Sequence, residues 1–176
     1  MRNAIRHHPA GTWTPADTAG TVTLPFADRH RRRLVMTDDE GSDFLLDLPE
    51  ATLLGDGDGL ELREGGFILV RAAEEPVIDI ETGDNRTLAR IAWHIGNRHT
   101  PIEVLPSGGL RILHDHVLAA MVVGLGGRIT PGLAPFQAEA GAYATSGSPE
   151  DAPVHPPGRT HHHHPHQGHH GLHDHG

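Results

Sequence analysis

A chain of 176 residues with no Cys and no Lys has no disulfides, thiolate metal sites, Walker A phosphate loop or lysine Schiff base. Its net charge of -9 with His neutral argues against nucleic-acid binding, which leaves a basic footprint. The 17 His make that charge pH-sensitive, because imidazole titrates near pH 6.5.

Residues 1–73 read as β. Thr21-Val22-Thr23-Leu24 alternates, Arg33-Leu34-Val35-Met36 is a short apolar run, and Asp43-Phe44-Leu45-Leu46-Asp47-Leu48 is a further strand candidate. Gly55-Asp56-Gly57-Asp58-Gly59 is a turn cluster. Leu60-Glu61-Leu62-Arg63 and Phe67-Ile68-Leu69-Val70 flank Glu64-Gly65-Gly66, which signals a hairpin. Short strands at this spacing predict a small sandwich or barrel-like domain.

The period changes over residues 74–144. Val77 to Glu81 reads as a strand. Asn85 to His99 reads as a helix, with Leu88, Ala92, Ile95 and His99 along one face and Thr100-Pro101 stopping it. Ile102 to Leu105 and Leu110 to Leu113 flank Pro106-Ser107-Gly108-Gly109 as a second hairpin. Asp115 is a candidate N-cap for a helix that presents Leu118, Met121, Val122 and Leu125 and ends at Gly126-Gly127. Ile129 to Phe136 supplies a last strand. The fold class is therefore α+β, with a βαββαβ order of the ferredoxin-like kind. Residues 145–176 hold Ser, Gly, Pro and His, bury no core, and are expected to be disordered.

Three groups of residues carry the chemistry. The last 22 residues hold ten His: His155, His161, His162, His163, His164, His166, His169, His170, His173 and His175. Neutral imidazole suits nickel, zinc and copper, and a polyimidazole tract exchanges such ions readily. The second group is His94 and His99 in Trp93-His94-Ile95-Gly96-Asn97-Arg98-His99-Thr100-Pro101. On spacing alone, His99 reads as a buried, hydrogen-bonded core histidine. The third is His114-Asp115-His116, whose imidazoles share one side if the strand continues through them. No H-E-x-x-H helix, G-x-S-x-G elbow or G-x-G-x-x-G loop is present, so no enzyme is expected. The N-terminus leads into no apolar segment and no run is long enough to span a bilayer, which places the protein in the cytoplasm with no membrane partner.

The Trp93–Pro101 and His114–Leu118 blocks resemble the C-terminal metal-binding domain of UreE urease accessory proteins. Pro135-Phe136, Glu139-Ala140-Gly141-Ala142-Tyr143 and the His-rich end extend the resemblance, and Gly55 to Leu60 continues it more loosely into the N-terminal region. The resemblance implies a homodimer that supplies nickel to maturing urease together with the UreG GTPase, UreF and the UreD/UreH scaffold. It places an interfacial nickel ligand on His99, once from each subunit, and peripheral metal-binding roles on His114 and His116. His161, His162, His163, His164, His166, His169, His170, His173 and His175 would add ligands, with zinc or copper as other ions that bind. His94 reads as structural. The N-terminal domain would bind a partner or peptide. The alternative is a general nickel, zinc or copper buffer or storage protein with no dedicated client.

Overall fold

The computed structural model describes residues 1–140. The His-rich segment, and with it every metal candidate from His155 to His175, lies outside the described residues.

The N-terminal strands are β1 (Arg2–His8), β2 (Thr18–Leu24), β3 (His30–Thr37), β4 (Asp43–Leu53), β5 (Gly59–Leu62) and β6 (Phe67–Ala72). They form one sheet in the order β2-β6-β5-β1-β4-β3. β1 runs parallel to β4 and β2 parallel to β6, while the other neighbours are antiparallel. Alternation decides which face is covered: Phe44, Leu46 and Leu48 of β4 are buried, while Asp43 is exposed and Asp47 only partly covered. Those three side chains join Ala4, Val22, Leu60, Leu62, Ile68 and Val70 in one core. Burying a large aliphatic side chain of this kind stabilises by about 1.5–3 kcal/mol.

The β5–β6 hairpin forms where the sequence signals it. Gly65 and Gly66 take φ of 96° and 81°, a backbone open to glycine without a Cβ penalty. The sheet also curls. In the turn between β3 and β4, the Asp39 amide donates to the Thr21 carbonyl at 2.7 Å, and the Asp39 carboxylate accepts from the Thr23 amide at 2.9 Å. Two groups on the outer edge of β2 thereby find partners at the opposite end of the sheet. One strand has no counterpart in the sequence reading. β1 lies between β4 and β5, yet only Ala4 of its seven residues is buried, so it carries no alternation to detect.

The remaining elements are β7 (Glu74–Glu81), α1 (Asn85–Gly96), β8 (Glu103–Val104), β9 (Leu110–Leu113), α2 (His116–Gly124) and β10 (Arg128–Pro135). Their sheet is antiparallel with the order β10-β7-β9-β8. Ile78, Ile80, Leu110 and Ile112 from the strands meet Ile91 and Ile95 from α1 and Leu118 and Val122 from α2. Each helix starts on an aspartate. Asp84 accepts from the Thr87 amide at 2.8 Å, and Asp115 accepts from the amides of Val117 and Leu118 at 2.8 and 2.9 Å. These bonds satisfy donors that the first turn leaves without partners.

Arg29, 1% exposed, joins the two sheets. Its guanidinium donates to the carbonyls of Leu54 and Phe136 and lies over the Phe26 ring, 5.3 Å from the centroid. Phe26 in turn meets Phe136 edge to face, with centroids 5.0 Å apart. Burial pushes the Arg29 pKa down, with Glu75 foremost among the carboxylates opposing the shift. Among the described residues no helix is long and apolar enough to cross a membrane.

Candidate metal centre

The helical period carries the expected helix to His99, but α1 ends at Gly96. The last turn tightens: the amides of Asn97, Arg98 and His99 donate to the carbonyls of Trp93, Ile95 and Gly96 at 3.0, 3.0 and 2.9 Å. Arg98 Nη1 adds a bond to the His94 carbonyl at 2.8 Å. His99 then takes φ 54°, the only left-handed non-glycine residue among those described. Glycine or asparagine normally fills such a position after a helix, and His is one of the few other residues enriched there. Thr100, preceding Pro101, is biased away from the helical region, which prevents the turn from continuing.

This geometry corrects the spacing-based reading of His99. Outside the helix and exposed to solvent, it is not a core histidine. The apolar face ends at Ile95, which is fully buried. His94 is half-buried and packs edge to face on the exposed Trp93 ring, with centroids 4.9 Å apart.

The strand does not continue through His114-Asp115-His116 either. β9 stops at Leu113, the His114 amide donates to the Pro76 carbonyl at 2.9 Å, and His116 opens α2. Strand alternation therefore does not bring the two imidazoles together, although both are exposed. The Asp115 carboxylate between them is occupied by the helix cap. Backbone hydrogen bonds, first from Leu118 and then Val117, hold it below the usual carboxylate range despite opposing desolvation; His116 and His114 lower it further.

Among the described residues, no three His, Cys, Asp or Glu side chains gather into a group that could hold a metal ion. His99, His114 and His116 each present an exposed imidazole. A single imidazole leaves most of a nickel coordination sphere to be filled by other donors.

Sequence spacing also overlooks two histidine–carboxylate pairs in the N-terminal sheet. His7 Nε2 lies 2.6 Å from Asp58 Oδ2, and His8 Nε2 lies 2.8 Å from Glu61 Oε2. Asp58 also accepts from the amides of Ala10 and Gly55, so it fastens the glycine-rich turn to β1. His8, more than Arg6, lowers the Glu61 pKa. The signal for these pairs is the β1–β5 register, which sets His7 and His8 opposite Leu60 and Gly59 and requires knowledge of β1.

Comparison with known proteins agrees with both halves of the chain. Residues 75–176 match the family described as UreE urease accessory protein, C-terminal domain, and residues 2–73 match its N-terminal domain. The urease accessory protein UreE of Bradyrhizobium sp. strain ORS 278 is 52% identical over 132 residues, covering 75% of this chain and 62% of the relative. That of Rhodopseudomonas palustris strain HaA2 is 50% identical over 145 residues, 82% of this chain and 66% of the relative. UreE of Chelativorans sp. strain BNC1 is 48% identical over 144 residues, 82% of this chain and 89% of the relative. The chain thus spans slightly less than two thirds of the length of the first two relatives. With a mostly β N-terminal domain, an α+β C-terminal domain and matches along both, the chain belongs to the UreE family of urease accessory proteins.

Proposed function

We propose that this protein is a cytoplasmic, non-enzymatic metallochaperone that binds nickel as cargo and delivers it during assembly of the urease active site. The observation that carries the reading is the exposed His99 imidazole, set on a left-handed turn in the domain that matches the UreE C-terminal family. Single exposed donors favour capture and release, because a partner's ligands can replace them one at a time.

The same domain supports a homodimer. Every residue of α2 from Val117 to Val123 is apolar, yet Val117 and Val123 remain 61% and 54% exposed. Trp93 on α1 is 61% exposed. A helix apolar on all sides belongs in an interior, and a two-fold partner is the commonest way to provide one. Two-fold symmetry would duplicate His99, so one interface would offer two imidazoles. The ferredoxin-like unit, taken as residues 74–144, would be the metal and dimer domain. Residues 1–73 would serve partner binding, and the His-rich residues 145–176 would hold further ions. His114 and His116 would act as peripheral ligands. The clients would be urease apoprotein with UreG, UreF and UreD/UreH.

Activation of urease apoprotein at limiting nickel tests this reading: adding the protein should raise the yield of active urease, and excess nickel should make it dispensable. The ten terminal imidazoles favour the second reading, a general nickel, zinc or copper buffer. A buffer would withhold nickel and lower activation under the same conditions.

A further inference from the structure

Among the described residues, β3 is an edge strand that pairs with β4 alone. Four consecutive residues on it, Arg32, Arg33, Leu34 and Val35, are exposed, so this stretch is open on both faces. Leu34 and Val35 are 44% and 53% exposed. Among the described residues, no backbone group of Arg32 to Val35 has a hydrogen-bond partner outside the ladder with β4. The contrast with β2 matters, because Asp39 bonds the Thr21 carbonyl and the Thr23 amide on the outer edge of that strand.

The stretch is also basic in an acidic chain. Arg31, Arg32 and Arg33 account for three of the 14 basic residues, in a protein of net charge -9. Arg31 pairs with Asp28, and Arg33 reaches Asp47 of β4 at 3.5 Å. Among the described residues Arg32 forms no ion pair. β4 shows what complements β3: acidic Asp43 and Asp47 interspersed with Leu45 and Leu46.

We propose that the outer edge of β3 is a docking site for an extended acidic segment of another protein, which adds as a further strand. Backbone hydrogen bonds to the free edge would hold the segment, its carboxylates would meet Arg32 and Arg33, and its apolar residues would cover Leu34 and Val35. A second copy of this chain is a poorer occupant, because antiparallel pairing centred on the exposed stretch sets Arg32 opposite Val35 and Arg33 opposite Leu34 and gives neither arginine a carboxylate partner. The inference rests on the reading of residues 1–73 as the partner-binding domain, is independent of the metal reading, and is tested on metal-free protein.

The probe is a capped, fluorescent peptide of Val and Thr that carries Glu at adjacent paired positions, so that carboxylates fall on both faces of the added strand, as Arg32 and Arg33 do, compared with the same peptide carrying Gln for Glu. Anisotropy should show saturable binding of the Glu peptide and at least tenfold weaker binding of the Gln peptide. Amide hydrogen exchange along β3 should slow when the Glu peptide is bound. The double variant Arg32→Glu with Arg33→Glu should lose binding at least tenfold, with an unchanged circular dichroism spectrum. Should that variant misfold, the hydrogen-exchange map of the unaltered protein decides the question by itself. Protection that falls elsewhere overturns the proposal. So does equal binding of single-stranded oligonucleotide or phosphatidylserine vesicles, since that would mark a general anion patch.

Discussion

Arg98 Nη1 donates to the His94 carbonyl at 2.8 Å, just past the end of α1 and immediately before the left-handed His99. The bond is exposed, so its net worth to the fold is no more than about 1 kcal/mol. Its consequence is local: the carbonyl end of the helix is fixed where the chain turns left-handed. Arg98→Ala should therefore lower unfolding stability only slightly while weakening nickel binding several-fold. Denaturant titration and nickel titration of the same variant check this. A large stability loss with intact nickel affinity would assign Arg98 to the fold instead.

Arg29 should behave in the opposite way. Replacing it with Met leaves the carbonyls of Leu54 and Phe136 without their buried donor. Each such loss costs about 1–3 kcal/mol, so a fall of about 3 kcal/mol in unfolding free energy is expected. Arg29→Lys should rescue little, because an ammonium lacks the planar fork that spans both carbonyls and lies on Phe26. Chemical denaturation of the two variants is the measurement.

The helix caps set an acid limit. Asp84 and Asp115 both have pKa values lowered in the fold, chiefly by the backbone amide of Thr87 for the first and of Leu118 for the second. A depressed folded pKa gives stability that is present above the unfolded carboxylate value of about 4 and lost as pH falls through the still lower folded value. Thermal melts should change little from pH 7 down to pH 5 on account of these two groups, then decline in stronger acid. Asp115→Asn keeps a capping oxygen without the titration, so its melting temperature should depend less on acid pH. Asp115→Ala should melt a few degrees lower at neutral pH.

Much of this was legible in the residues. The switch from period 2 to period 3.6 marks the boundary between sheet and α+β unit, and Asp115 announces α2. His99 and β1 share a cause: a property set by the backbone rather than by side-chain pattern. His99 sits at helical spacing from Ile95, but a left-handed residue ends the turn, and histidine in a place usually taken by glycine gives no warning. β1 is held by neighbours on both sides while burying one alanine, so hydrophobicity cannot reveal it. Arg29 is one arginine among 14, and only the meeting of Phe26 with Phe136 makes it a buried joint.

The composition of the C-terminal segment carries its own prediction. Residues 145–176 hold ten His and almost no large apolar residue. Truncation after Tyr143 should leave thermal stability nearly unchanged and remove most of the nickel capacity. Equilibrium dialysis counts the ions. An unchanged count would rule the segment out as the reservoir.

The most direct test of the metal reading is a calorimetric nickel titration of His99→Asn, truncated after Tyr143, beside the same truncation with His99 intact. Asparagine tolerates φ near 54°, so the turn should persist while the imidazole is lost. Loss of the tightest nickel event, with solution mass and circular dichroism unchanged, is the predicted result. A high-affinity event that survives in the His99→Asn protein would contradict it and move the site to other residues.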